Sequence, residues 1–293
     1  MTESWTTRRV LGWTASHFEK HGVDAPRLTA EVLLAHVLSV DRVRLYIDLD
    51  RPLTIEERAA YRALIERRSS GEPTQYLTGV KEFYNRRFQV DPRVLIPRPE
   101  TELLVEAVLR SVAQDSPSRV LDLCTGSGCI AVTVAAERPS ASVWATDISE
   151  GACEVARANA ESLKVGSRVT VLLGDLFLPV PAAARFDAIV SNPPYVRSDV
   201  VPTLSREVQK EPRLALDGGP DGLSVVRRIA KEARGRLKPG GLLALEISEG
   251  QGNDVKALLT ESGYEQVQIQ ADLARLDRLA FGRQSAVDRP QEA

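Results

Sequence analysis

The sequence predicts an α/β protein, a mostly parallel sheet with helices beside it, preceded by a small helical bundle. Three observations carry that expectation. From Arg119 onward, short apolar runs of strand length alternate with segments of helical periodicity. The first strand candidate runs into a glycine-containing turn that opens a helix, the joint expected of such sheets. The first seventy residues, by contrast, carry helical spacing and no strand alternation.

The elements follow in order. Residues 6–21 place Val10, Trp13, Thr14 and Phe18 at helical spacing and stop at Gly22; Asp24 is positioned to cap a second helix reaching Val40, with Pro26 near its start. Thr54 with Glu57 makes a capping box for a third helix, whose stripe is Tyr61, Leu64 and Ile65 and whose end is marked by Gly71 and Pro73. All three histidines, His17, His21 and His36, fall in this bundle. His17 and His21 share the i, i+4 spacing of a metal-binding pair, but HFEKH is not HExxH and no third ligand is evident, so a solvated face is expected and no metal. Between residues 76 and 90 the pattern changes to Phe83, Tyr84, Phe88 and Val90 around Asn85-Arg86, a hairpin linking the two parts. A helix then opens near Pro99, where the missing N–H costs nothing, with Leu103, Val105, Val108, Leu109 and Val112 as buried positions. Beyond it RVLDL, SVWAT, RVTVLL, FDAIVS and LLALEI are strand candidates, separated by helices over 128–137, 150–165 and 222–237.

Composition narrows the class. At 293 residues the chain suits one large and one small domain, and 43% hydrophobic with 27% charged residues is ordinary for a soluble globular protein. A formal net charge of -2 gives no general attraction to nucleic acid or anionic membrane, so neither is an expected stable partner. No apolar run approaches the roughly 20 residues of a membrane span, and the N-terminus lacks a signal-peptide core, so a cytoplasmic location is expected. Cys124, Cys129 and Cys153 form neither an even set nor a CxxC pair, which argues against a disulfide framework or a zinc site.

In a parallel sheet ligands bind at the carboxyl ends of the strands, so candidate binding residues are expected there. The first ends in LDLCTGSGCIA, where Gly126 and Gly128 allow a tight turn and close approach of a ligand to a helix N-terminus. Gly126, Gly128 and Ala131 satisfy GxGxxA, and Asp147 at the second strand's end lies about where a carboxylate grips ribose hydroxyls. These features predict a nucleoside-type cofactor without saying which. The third strand ends in LLGDLF, where Asp175 is placed to accept an adenine amino hydrogen and Leu176 or Phe177 to cover the ring. The fourth ends in SNPPYVRS. Two prolines keep this segment extended and out of any local helix, so the Asn192 side-chain oxygen and the Pro193 carbonyl are free to take both hydrogens of a planar amide or amino group, with Tyr195 on its face.

NPPY with DLCTGSG resembles the methyltransferases that use S-adenosylmethionine to methylate an exocyclic or amide nitrogen. The strings GEPTQYLTGVKEFY, LIPRPETELLVE, SNPPY, KEPRLALDGGPDGL and LARLDRLAFGR are similar to the release factor glutamine methyltransferase family over roughly residues 71–283, with a helical N-terminal domain in front. NPPY alone is shared with adenine methyltransferases of DNA and RNA; YLTG and IPRPETE are the specific part. The resemblance implies a Rossmann-like seven-stranded methyltransferase sheet over 96–283, a helical substrate-recognition domain over 1–75, a β-hairpin linker over 76–95 and a disordered tail over 284–293. It implies S-adenosylmethionine held by Cys124, Thr125, Gly126, Ser127 and Gly128 (methionine), Asp147 (ribose), and Asp175 with Leu176 (adenine), bordered by Asn192. It implies that Asn192, Pro193, Pro194 and Tyr195 grip the substrate glutamine and carry the catalysis, with Arg98 and Glu100 beside the same pocket. The substrate implied is the glutamine of the GGQ loop in peptide chain release factors 1 and 2, the enzyme acting as a monomer; a ribosomal-protein glutamine or the N6 of adenine are the alternatives. A nicotinamide oxidoreductase, which GxGxxA alone also permits, lacks a hydride-transfer constellation here. No histidine lies in this region to serve as base, so the proton is expected to leave late, to water or past the Asn192 and Pro193 acceptors, with a solvent-exposed Glu246 the weaker candidate.

Two departures from the family pattern stand out. Cys124 occupies a position where glycine is usual, and is tolerable there if its φ is negative. Arg275 replaces a common glycine and is expected to affect only a turn at the sheet edge. The segment 196–220, with Arg197, Arg206, Lys210 and Arg213, is expected to lie over the pocket on the substrate side.

Overall fold

The structure, a computed structural model, describes residues 5–286. Most of the tail expected to be disordered, residues 287–293, lies outside the described residues. The chain divides into two compact units, Met1–Val80 with Ser205–Lys210, and Lys81–Leu204 with Glu211–Ala293.

The first unit is the helical bundle: α1 (Thr7–Lys20), α2 (Pro26–Leu38), α3 (Arg42–Ile47), α4 (Ile55–Ser69) and α5 (Thr74–Thr78). Its core is built on Leu11, Phe18, Leu33, Leu34, Tyr61 and Ile65. Trp13, expected in the stripe of α1, is 53% exposed, because the inward arc runs Val10, Leu11, Thr14 and Phe18. Asp24 does not cap α2. The cap position is Ala25 in a left-handed conformation (φ 44) with no side-chain bond, and Pro26 opens the helix directly. The capping box is as expected, with the Glu57 N–H donating to Thr54 Oγ1 at 3.2 Å and the Thr54 N–H to Glu57 Oε2 at 2.9 Å. α3 and α5 are single-turn helices, too short to leave a periodic signature. His17 and His21 do share a face, with ring centroids 4.1 Å apart, and His17 stacks on Trp13 and meets Ser69 Oγ at 3.2 Å. Within the same unit, the buried Arg68 pairs with Glu207.

The boundary between the units falls at the start of the hairpin, β1 (Val80–Phe83) and β2 (Arg86–Gln89), which from Lys81 on belongs to the second. Its turn is Tyr84-Asn85, one residue earlier than the sequence suggested; both have positive φ, 48 and 57, as a two-residue hairpin turn requires. Next comes a 3-10 turn, Pro99–Thr101, leading into α6 (Glu102–Ser111), which buries Leu104, Val105 and Val108 while Leu103 and Leu109 are half-buried. The sheet follows as β3 (Ser118–Leu123), α7 (Cys129–Glu137), β4 (Ala141–Asp147), α8 (Glu150–Ser162), β5 (Val169–Leu173), β6 (Phe186–Ser191), α9 (Ser224–Ala233), β7 (Leu237–Glu246), α10 (Gly252–Glu261), β8 (Glu265–Ala271) and β9 (Asp277–Arg283).

Seven strands form one sheet in the order β5-β4-β3-β6-β7-β9-β8, parallel except for β9, which runs antiparallel to both its neighbours. Side chains alternate between two cores, as the pleat dictates. Val120, Ala188, Val190 and Ala244 join the core that contains residues of α6, α7 and α8, whereas Leu121, Ile189, Leu243 and Leu245 join the one containing residues of α9 and α10. The chain starts the sheet in the middle at β3, builds outward through β4 and β5, then returns to the other side of β3 with β6. That reversal between β3 and β6 opens a crevice at the carboxyl edge. Arg275 sits in the β8–β9 turn at the sheet edge with φ 63, a left-handed conformation that glycine adopts more readily.

Candidate active site

Register sets the site. Leu123 pairs with Thr146 on one side and Ser191 on the other, so Cys124, Asp147 and Asn192 emerge from three adjacent strands at one level. Two bonds lock this rim: Ser191 Oγ donates to the Leu123 carbonyl at 2.7 Å, and the Thr125 N–H to the Thr146 carbonyl at 3.0 Å. The resulting pocket, of about 200 Å³, is lined by residues from the ends of β3, β4, β5 and β6 and by α9.

Seven of the expected residues are brought together in its wall: Cys124, Gly126, Asp147, Asp175, Leu176, Asn192 and Pro194. Gly126 has φ 55 and nothing within 4 Å of where a Cβ would sit, so it keeps the turn tight and its surroundings open. Gly128, with φ 78, serves packing as well, because a Cβ there would lie 3.1 Å from Ala156 Cβ on α8. Thr125 turns inward, its hydroxyl donating to Asp122 Oδ2 at 2.6 Å, and Ser127 is buried. Cys124 has φ 58, not the negative φ under which it was expected to be tolerable; the turn forces the left-handed conformation on a residue with a Cβ. Desolvation and the nearby Asp147 push its thiol up to about 12, so it stays neutral.

Asp147 Oδ2 accepts the Gly126 N–H at 2.9 Å and Oδ1 accepts the Ser149 N–H at 2.9 Å, which fixes the carboxylate while leaving lone pairs on both oxygens. Burial nonetheless raises its pKa. Asp175 is paired with Arg228 through Oδ2 at 2.6 Å, a partner the sequence did not signal. Leu176 lines the pocket, whereas Phe177 is buried in the core beside α9 and covers nothing there.

The backbone of the NPPY segment and the residue after it is held by the later loop and by the Gln251 side chain. The Val196 N–H donates to the Leu216 carbonyl at 2.9 Å, the Gly218 N–H to the Val196 carbonyl at 2.7 Å, and Gln251 Nε2 to the Tyr195 carbonyl at 3.2 Å. Gly218 is required there, since a Cβ would lie 2.7 Å from the Pro194 carbonyl oxygen and 2.8 Å from Tyr195 Cα. The side chains are set by contacts to Thr101 and Glu246. Asn192 Nδ2 donates to Thr101 Oγ1 at 3.2 Å, Thr101 Oγ1 to Glu246 Oε2 at 2.7 Å, and Tyr195 Oη to Glu246 Oε1 at 3.2 Å. Glu246 is therefore not the solvent-exposed carboxylate expected. It is 1% exposed at the end of β7, and burial pushes it up to about 7.

Arg98 and Glu100 are not in the pocket wall. Arg98 Nη2 is bonded to the buried Glu211 Oε1 at 2.5 Å, and Glu211 Oε2 accepts the Ile96 N–H at 3.0 Å, so this pair ties the PRPET string to the later loop. That loop contributes Pro212, Leu214 and Ala215 to the wall, not its arginines. Arg197 and Arg213 pair with Asp199 and Asp217, while Arg206 and Lys210 belong to the first unit.

A rim of strand ends around a glycine turn, on a sheet whose final strand runs antiparallel, defines the methyltransferase class, and the family model described as the methyltransferase small domain matches residues 99–272. A second model, the PrmC N-terminal domain, matches residues 9–79. The release factor glutamine methyltransferase of Moorella thermoacetica is 45% identical over 95% of this chain and 99% of its own length. That of Geobacter sulfurreducens is 44% identical over 96% of this chain and 98% of its own. The chain belongs to the release factor glutamine methyltransferase family. Among solved structures, the T. thermophilus 16S rRNA N2 G1207 methyltransferase, in complex with AdoMet and guanosine, shares the fold at 20% identity and a TM-score of 0.53, over 70% of this chain and 49% of that one.

Proposed function

We propose that the protein methylates the side-chain amide nitrogen of the glutamine in the GGQ motif of peptide chain release factors 1 and 2, with S-adenosylmethionine as donor. The observation that carries this reading is the placement of Asn192 and Pro194 in the same pocket wall as Gly126 and Asp147. The pocket suits that donor: an open glycine turn, a fixed carboxylate with lone pairs to spare, and an apolar wall at Leu176 and Leu214. Cys124 through Gly128 would hold its methionine portion, Asp147 its ribose, and Asp175 with Leu176 its adenine. When bound, it supplies a methyl group already activated on a sulfonium.

An amide nitrogen is a poor nucleophile because its lone pair is delocalised. The task of the chain's residues is therefore to orient that nitrogen, and orientation alone can account for about 7 to 11 kcal/mol of a barrier. Asn192 Oδ1 and the Pro193 carbonyl take the two amide hydrogens, and their attraction strengthens as positive charge grows on the nitrogen. Tyr195 supports the face of the amide. The proton leaves late, to water or past these acceptors. The helical bundle is read as a recognition surface for the protein substrate, and the enzyme as a cytoplasmic monomer. No helix among the described residues is long and apolar enough to cross a membrane.

The test is to incubate the protein with labelled donor and a release factor, then with the same factor carrying alanine for the GGQ glutamine. Label on the first and none on the second supports the reading. Label persisting on the variant, or appearing only on ribosomal protein or nucleic acid, contradicts it.

A further inference from the structure

We propose that Thr101 and Glu246 are positioning residues that fix which way the Asn192 side-chain amide faces, an inference that rests on the substrate reading above. A hydroxyl has a single hydrogen, and Thr101 gives it to Glu246 Oε2 at 2.7 Å. Toward Asn192 it can offer only a lone pair, and the atom it meets, at 3.2 Å, is Nδ2. The opposite orientation of the amide would set Oδ1 against that lone pair, acceptor facing acceptor. Thr101 and Glu246 are each 1% exposed, so water does not supply a substitute proton. The consequence is that Oδ1 is kept off Thr101 and remains an acceptor for the substrate nitrogen.

The same carboxylate reaches the other end of the motif, taking the Tyr195 hydroxyl hydrogen on Oε1 at 3.2 Å. One buried acid at the end of β7 thus registers two side chains of the segment after β6, Tyr195 directly and Asn192 through a residue of the turn before α6. Desolvation dominates and raises the Glu246 carboxyl, Glu100 adding to it, while the Thr101 and Tyr195 donors and the charge of Arg278 oppose it; the bond direction described here is that of the ionised, accepting carboxylate. Neither Thr101 nor Glu246 lines the pocket, so both act through the side chains they hold, Asn192 and Tyr195.

Thr101→Val keeps the shape and deletes the hydroxyl. With a release factor as substrate and saturating S-adenosylmethionine, kcat is expected to fall about 100-fold, the scale of a misplaced reacting group. KM for the factor and Kd for S-adenosylmethionine, measured by calorimetry, are expected to stay near the parent's. Thr101→Ser should restore kcat, and Glu246→Gln, whose amide can donate to Thr101, should lower kcat without weakening cofactor binding and so carries the test if the valine variant does not fold. Parental kcat in both Thr101→Val and Glu246→Gln, or an equal loss of kcat and of S-adenosylmethionine binding, overturns the proposal. A parent enzyme that leaves the factor unmodified instead contradicts the substrate reading itself.

Discussion

The Gly126 N–H donates to Asp147 Oδ2 at 2.9 Å, joining the turn after β3 to the end of β4 across the mouth of the pocket. The two features that announce a cofactor in the sequence are thus a single hydrogen-bonded unit. Asp147→Ala removes the acceptor of both the Gly126 and Ser149 N–H groups. Hydrogen bonds to charged groups contribute about 1.5 to 3 kcal/mol, so S-adenosylmethionine affinity should drop by about 10- to 100-fold. Isothermal titration with S-adenosylmethionine checks it, and an unchanged Kd would mean that Asp147 shapes the turn without meeting the ligand.

Gly218→Ala should damage the substrate side from a distance. The new Cβ would lie 2.7 Å from the Pro194 carbonyl oxygen and 2.7 Å from the Gly222 carbonyl oxygen, backbone atoms that cannot swing away. Overpacking of this kind costs about 1 to 3 kcal/mol. Urea unfolding should register that loss together with a fall in kcat, whereas S-adenosylmethionine binding should change little.

Asp122 gives stability a pH dependence of known sign. It is fully buried, with Oδ2 bonded to Thr125 and to the Ala131 N–H but Oδ1 without a partner, and desolvation, with the nearby Asp147 adding, raises it from 3.8 to about 7. Below about pH 4 the acid is protonated whether the chain is folded or not. Between there and about pH 7 the folded chain holds a proton that the unfolded chain has released, so the stabilisation present at low pH is lost as pH rises. Asp122→Asn removes that titration. The stability of the variant relative to the parent should rise between about pH 4 and 7 and then level off, as read from urea unfolding at a series of pH values. Parallel profiles would show that the acid is ionised throughout.

Cys124→Gly should be tolerated or mildly stabilising, because glycine relieves a left-handed φ of 58 at the cost of greater freedom in the unfolded chain. Strain of this kind is worth about 1 to 3 kcal/mol before that offset. A variant less stable than the parent in urea would mean that the thiol's packing outweighs the strain.

The central strands β3, β6 and β7 were legible because they carry near-continuous apolar runs buried on both faces, and the Thr54 capping box because its chemistry is local. The strand-end residues were legible for a related reason: register places Cys124, Asp147 and Asn192 at one level as soon as the strands pair. What stayed hidden is nonlocal. The partnership of Thr101 with Glu246 spans 145 positions, and the pairing of Asp175 with Arg228 spans 53, so no spacing rule links either pair. The φ of Cys124 is likewise set by the turn's closure, and Glu246 resembles any carboxylate at a strand end until β9 and the turn before α6 bury it. The terminal strands β8 and β9 were inferred only from the family resemblance, since β8 is mostly exposed or half-buried and lacks a continuous apolar run.

In the proposed mechanism NPPY holds the substrate amide rather than the cofactor. Asn192→Ala tests it most directly, with single-turnover methyl transfer to a release factor and S-adenosylmethionine affinity measured on the same preparation. Transfer should be abolished while the affinity stays close to the parent's. Equal losses of transfer and of cofactor binding would contradict it.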